Sequence, residues 1–363
     1  MQNISGMSGP GQAQIEPAGG GASGAAAIAA FDEERPSLVR RAQVFLHGYP
    51  EVIPFFALVL GVLLFSIMVG DRFLHPFNLS LVLQQVTIIA IVGIAQTMVI
   101  ITAGIDLSVG AITVLCAVIM GRLAVLSGVP IEIAFPLGLI AGTACGFANG
   151  VFVAWIKLPP FIVTLGTWSI FAALNLWYSH SETIRQQDVE AAAPFLQLMG
   201  TAMRFGAARV TYGSVLMLAL AALAWYILNR TAFGRHVYAT GDDPNAARLA
   251  GIYINRTLIA VYTIAGFICA VAGWVLIGRI GAVSPIGGQT ANLDSITAVV
   301  IGGTSLFGGR GSIVGTLVGA LIVGVFRNGL ALAGADAPWQ EFAVGALIIL
   351  AVAIDQWIRK VSA

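Results

Sequence analysis

The sequence predicts an all-α, polytopic membrane protein with about ten transmembrane helices, and three observations predict it. Of 363 residues, 58% are hydrophobic and 10% are charged, against roughly 25% charge in soluble domains. Mean hydropathy is +0.90, so a soluble fold of this size would have too little polar surface to face water. Apolar runs also recur along the chain, most near the roughly 20 residues that a hydrocarbon core about 30 Å thick demands.

Residues 1–51 form the first segment. The first 30 residues are rich in Gly, Ala, Ser and Gln and contain no Lys or Arg. A secretory signal needs a basic start and an apolar run, so the segment is expected to be a largely disordered cytoplasmic tail. Gly19, Gly21 and Gly24 match dinucleotide-fingerprint spacing. No strand pattern precedes them and no helix pattern follows closely, so the match reads as chance.

A membrane domain is expected over 52–358. Its candidate spans are 52–69, 79–101, 107–126, 131–156, 161–178, 210–228, 258–277, 292–307, 313–332 and 342–357. The eighth and tenth are short. Very few residues separate the second from the third, which suggests a broken or re-entrant passage. Gly142, Gly146 and Gly150 in span four, and Gly315 and Gly319 in span nine, are ladders that let helix backbones approach closely. Cys116, Cys145 and Cys269 lie in apolar stretches without metal-ligand spacing and read as small buried hydrophobes. No metal or cofactor is expected.

Orientation follows from Lys and Arg. With both termini in the cytoplasm, Arg35, Arg40, Arg41, Lys157, Arg230, Arg235, Arg248, Arg256, Arg310, Arg359 and Lys360 fall inside. Arg72, Arg122, Arg185, Arg204, Arg209, Arg279 and Arg327 fall outside. The bias places loop 179–209 in the periplasm, and loop 229–256 and residues 359–363 in the cytoplasm. A net charge of +1 gives no field to draw nucleic acid. A weak echo links Thr102–Ser108 with Thr290–Ser295, offset by 188 residues, as a possible internal duplication.

Two acids stand near the starts of apolar spans. Asp106, with Ser108 beside it, precedes span three. Asp294, with Asn292 beside it, opens span eight. A carboxylate there is expected to cap the first helical turn, and contact with a translocated substrate is the alternative. Pro159-Pro160 makes a turn at the membrane surface. The stretch from Gly302 to Gly311 lacks the Lys-Ser/Thr ending of a phosphate loop, and no other nucleotide site is visible. The chain is therefore expected to have no ATPase site of its own.

Loop 229–256 is the most informative. Gly241-Asp242-Asp243-Pro244 turns the chain, and Asn245–Ala250 is expected to be a short helix with Pro244 in its first turn. Six residues are marginal as an isolated helix, so this one needs a docking surface. Gly241, Asp242, Pro244, Asn245, Ala246, Ala247 and Arg248 are the candidates for contact with a soluble partner.

Four segments in order resemble the monosaccharide permeases of ATP-binding-cassette importers, the ribose, xylose and fructose type. They are Thr102–Gly110, Leu158–Thr167, the run holding Gly234, Arg235, Tyr238, Ala239, Gly241, Ala246, Ala247, Arg248, Leu249, Gly251 and Ile252, and Gly302–Gly315. The turn Asp242-Asp243-Pro244 departs from the plainer turn of many relatives and, with the long tail, favours the fructose-type branch. The resemblance implies a permease in a bacterial inner membrane, present in two copies and bathed in lipid. An ATPase subunit would bind below and a periplasmic sugar-binding protein above. It also implies alternating access without covalent chemistry. The rival readings are a branched-chain amino-acid permease, an ion-coupled secondary transporter and a membrane enzyme. No chain of Asp, Glu or His through the spans supports the second, and no nucleophile–base pair supports the third.

Overall fold

A computed structural model describes residues 52–288 and 290–359. The expected tail and the last four residues lie outside the described residues. From its N-terminal end the described chain forms α1 (Val52–Val69), a single turn α2 (Asp71–Leu74) and α3 (Pro76–Ile101). Next come α4 (Val109–Gly121), which widens into a π-turn over Arg122–Leu126, then α5 (Ile131–Ala154) and α6 (Pro160–Ser179). An extramembrane segment holds α7 (Gln186–Ala192), a 3-10 turn (Pro194–Gly200), and strands β1 (Ala202–Phe205) and β2 (Ala208–Thr211). The remainder is α8 (Tyr212–Arg230), α9 (Ala232–Asp242), α10 (Pro244–Leu249), α11 (Ile254–Ile280), α12 (Ala291–Ile301), α13 (Ile313–Leu332) and α14 (Ala337–Arg359).

Seven helices are long and apolar enough to cross a membrane: α3 to α6, α8, α11 and α13. Shorter apolar helices occupy the first, eighth and tenth expected positions. The protein is therefore an all-α, polytopic membrane protein, with one small hairpin as its only named sheet among the described residues.

The layers follow from exposure. In α4, 72% of the span window is buried inside the protein, against 28% in α6. Helices α3, α4, α11 and α13 are the interior, while α5, α6 and α8 keep an apolar face turned outward. The glycine ladders build the interior crossings. A methyl at Gly146 would overlap Tyr262 O, and one at Gly266 would overlap Gly142 O, so α5 and α11 touch backbone to backbone. Gly315 and Gly319 of α13 do the same against Gly302 and Ala298.

Span eight departs from expectation. It ends at Ile301, not 307, because Gly302-Gly303 closes the helix. Eleven residues rise only about 16 Å, so α12 does not cross a bilayer core by itself. The internal echo is also corrected. Thr102 follows the end of a helix, whereas Thr290 precedes the start of one, so the two segments are not structural counterparts. The recurrence lies at an offset of 200. Ala103 N donates to Ile100 O (2.9 Å) and Gly104 N to Val99 O (3.2 Å). Gly303 N donates to Val300 O (3.0 Å) and Thr304 N to Val299 O (3.2 Å). Residues 103 and 303 both have positive φ, 61° and 86°.

Candidate coupling site and the helix breaks beneath it

The chain leaves helical geometry at residues 102–108, between α3 and α4. Polar side chains hold this break in an apolar interior. Asp106 Oδ1 accepts from Ser108 N (2.8 Å) and Ser108 Oγ (2.6 Å). Ser108 Oγ in turn accepts from Asn149 Nδ2 of α5 (2.8 Å). In the orientation that its neighbours require, the Gln96 amide brackets the Asp106 backbone: its nitrogen is 3.1 Å from Asp106 O and its oxygen 3.2 Å from Asp106 N. Thr164 Oγ1 of α6 donates to Ile105 O (2.9 Å). A methyl at Gly104 would lie 2.7 Å from the Tyr262 hydroxyl, so the α11 tyrosine also closes on this point.

The expected capping role of Asp106 is thereby corrected. Ser108 holds the N-cap position, and the carboxylate binds the amide of that cap residue instead of amides inside the first turn. It shapes the turn that leads into α4. Asp294 departs further. It lies within α12, where Oδ1 accepts from Arg327 Nη2 of α13 (2.6 Å) and Oδ2 accepts from Thr290 Oγ1 (3.1 Å). Arg327 Nη1 also donates to Glu341 Oε1 of α14 (2.8 Å). An ion pair tying three helices satisfies the buried carboxylate, where a cap was expected. Asn292 packs against Gly110, and its buried Oδ1 has no hydrogen-bond partner.

The second break follows Ile301. Backbone groups do most of the work there: Ser305 N donates to Arg310 O (3.0 Å) and Gly308 N to Ser305 O (3.1 Å). The two breaks touch, since Gly309 N donates to Ile101 O (2.9 Å).

Against both lies the informative loop. Its sequence builds two helices, of which only the second was legible. Thr231 caps α9, with Oγ1 accepting from Gly234 N (3.2 Å). Asp243 caps α10, with Oδ1 accepting from Asn245 N (2.8 Å) and Ala246 N (3.1 Å), and Pro244 takes the first helical position. A methyl at Gly241 would overlap Ile101 O and lie 2.8 Å from Gly309 N. Gly309 approaches Asp242 just as closely, and Tyr238 Oη donates to Gly311 O (2.8 Å). The α9–α10 corner therefore rests on both helix breaks at once.

The candidate residues divide into two faces. Gly241 and Ala247 are buried against the chain's own helices, while Asp242, Pro244, Asn245, Ala246 and Arg248 point outward. The outward face also includes Leu249, 90% exposed, and Tyr253, 70% exposed with Arg256 over its ring. Sequence reasoning passed over Tyr253, whereas Leu249 lay within the expected helix without being singled out. A large apolar residue in a polar stretch outside every span was the available signal. Asn149, Gln96, Tyr262 and Arg327 were also missed. Each is a lone polar or charged group within an apolar helix, and only the fold shows what it meets.

A family model described as "Branched-chain amino acid transport system / permease component" matches residues 78–352, well over half of the chain. The chain belongs to this permease family. Among curated relatives, the fructose import permease FrcC of Rhizobium meliloti is 57% identical over 336 residues, covering 93% of each chain. The ribose import permease RbsC of Bacillus subtilis is 38% identical, covering 85% of this chain and 93% of the relative. The D-allose transport system permease AlsC of Escherichia coli is 33% identical, covering 84% and 91%. No solved structure matches the chain. In this permease the two breaks and the α9–α10 corner all fall within the matched residues.

Proposed function

We propose that this permease is the membrane-spanning subunit of an ATP-driven importer that carries a monosaccharide of the fructose, ribose or xylose class across a bacterial inner membrane. The observation that carries the reading is the seat of α10: a short helix with an exposed apolar tip, resting through Gly241 and Asp242 on both interior breaks. The likeness to sugar import permeases supports the cargo, and the 57% identity to a fructose permease favours fructose. A separate ATPase docks on Asp242, Asn245, Ala246, Arg248, Leu249 and Tyr253. Its closure pushes α10, and Gly241 and Tyr238 pass the displacement to Ile101 and Gly311. The breaks let α3 and α12 tilt while the glycine-packed crossings stay rigid, and the pathway changes the side to which it opens. Two copies of the chain, a periplasmic sugar-binding protein and cytoplasmic termini complete the arrangement. The chain itself carries out no covalent chemistry.

The test is uptake of labelled fructose, ribose and leucine in cells with and without the permease. Sugar uptake should fall to background on deletion and return on complementation, with leucine uptake unchanged. The family's description favours branched-chain amino acids as a second reading, and permease-dependent leucine uptake without sugar uptake would establish it. The docking surface is tested by co-purifying the ATPase with Ala246→Trp and Arg248→Glu variants. Both should reach the membrane at normal levels, lose the ATPase and lose uptake. Ala247 is unsuitable for this test because it is buried. For orientation, a cysteine at Asp188 should react with an impermeant reagent in whole cells and one at Asp242 should not.

A further inference from the structure

The hairpin of β1 and β2 places like charges against each other. Its register pairs Ala202 with Thr211, Met203 with Val210, Arg204 with Arg209 and Phe205 with Ala208. Directly opposite residues share a face with Cβ atoms about 4.5–5.5 Å apart, and like charges there destabilise the pair. Arg204 and Arg209 are both exposed. Among the described residues neither forms an ion pair, although Glu182, Asp188 and Glu190 lie in the same extramembrane segment. Opposite positions in register put both guanidinium groups on one face of the hairpin, within reach of a single multiply oxygenated anion.

The position of the arginine pair identifies the anion's source. Arg209 N donates to Ser80 Oγ of α3 (2.7 Å), and the Arg209 guanidinium lies over the Phe77 ring, 5.4 Å from its centroid. Phe77 is in the first turn of a membrane span, and Leu79 and Leu81 just beyond it are exposed apolar residues that face lipid. The arginines therefore stand at the depth where hydrocarbon gives way to headgroups. Phe205, 64% exposed at the next register position, adds an aromatic of the kind found at that boundary. From Ser80 to Ile101, α3 rises about 30 Å, so this leaflet is the one opposite the α9–α10 corner.

We propose that Arg204 and Arg209 bind the phosphate headgroup of an anionic lipid in that leaflet, pinning the hairpin to the membrane surface beside the start of α3. The site needs only the membrane-spanning fold, so it stands or falls independently of the transported cargo.

The experiment is titration of the purified, delipidated full chain with phosphatidylglycerol, phosphatidylcholine or inorganic phosphate, read by native mass spectrometry. Phosphatidylglycerol should bind more tightly than phosphatidylcholine. At roughly 1 kcal/mol per basic residue near an anionic surface, Arg204→Gln or Arg209→Gln alone should weaken phosphatidylglycerol about fivefold, and the double variant about thirtyfold. Arg185→Gln, in the same segment but outside the hairpin, should stay within about twofold of wild type, the level of an exposed charge that makes no specific contact. Arg209→Lys keeps the charge and loses the planar fork, so its affinity should fall between wild type and Arg209→Gln, which separates loss of charge from loss of fold. Unchanged affinity in a double variant of wild-type thermostability would overturn the proposal. So would displacement of the lipid by phosphate at equal concentration, which would make the arginine pair a free-anion site. Loss of sugar-binding-protein docking with lipid binding intact would assign the pair to a protein and overturn it too.

Discussion

After Ile101 and after Ile301 the chain leaves a helix through the same two backbone hydrogen bonds, with residues 103 and 303 both in left-handed geometry. Beyond that point the two breaks differ. The first is braced by side chains from three helices: Asp106 and Ser108 at the break bind Gln96 of α3 and Asn149 of α5, and Thr164 of α6 holds Ile105. The second is held chiefly at backbone groups: Ser305 N binds Arg310 O, Gly308 N binds Ser305 O, Gly309 N binds Ile101 O and Gly311 O accepts from the Tyr238 hydroxyl of α9, while its Thr304 hydroxyl has no partner. A break tied to several helices moves only as they move. A break held through its backbone by the α9–α10 corner moves with that corner. In the transport cycle proposed here, the first break is the fulcrum and the second is the part that yields.

Substitutions at the corner and the two breaks should therefore form a graded series. The largest effect is expected where the breaks meet. Gly241→Val puts a side chain into Ile101 O and Gly309 N, an overpacking against backbone that should cost more than about 3 kcal/mol. Membrane abundance and uptake should both collapse. Retained uptake would show that the corner does not bear on the breaks.

Next comes Asp106→Leu, which strands the buried Ser108 N–H and hydroxyl. Each orphaned donor costs about 1–3 kcal/mol, so thermostability in detergent should fall clearly. Asp106→Asn keeps an acceptor oxygen and should retain partial uptake. Equal abundance with equal loss of uptake in both variants would point to substrate contact in place of bracing.

The second break should be more tolerant. Ser305→Ala removes one acceptor, for Phe307 N (3.1 Å), and should cost about 1 kcal/mol. Measured beside Asp106→Leu, it sets the ratio between the two braces, and a cost as large would erase the distinction. Smallest of all is Thr304→Val. The hydroxyl is buried without a partner, so losing it should leave thermostability unchanged or raise it by up to about 1 kcal/mol. A large loss would reveal a partner for Thr304 formed in another state of the cycle.

The apolar runs alone located the membrane helices, because in lipid every backbone polar group must be satisfied within the helix and about 20 apolar residues suffice. Local turn chemistry likewise placed α10, since Pro244 suits the first position of a helix and the residues after it are helix formers. The glycine ladders announced close packing, although which helices they would join was not legible. Pattern reading overran α12 because residues 302–307 carry no charge and end in Leu306-Phe307. The stop at Gly302-Gly303 is a matter of backbone geometry and of Gly315 pressing on Gly302.

What the sequence by itself determined was the solvent of each segment and the class of fold, because hydropathy and helix length act locally. The partners of the lone polar residues were decided only in three dimensions. Asp106 and Asp294 look alike along the chain, each an acid near the start of an apolar run. One braces a turn through Ser108, and the other meets Arg327, 33 residues away. A buried carboxylate must find a donor, and which donor it finds depends on how helices distant in sequence cross.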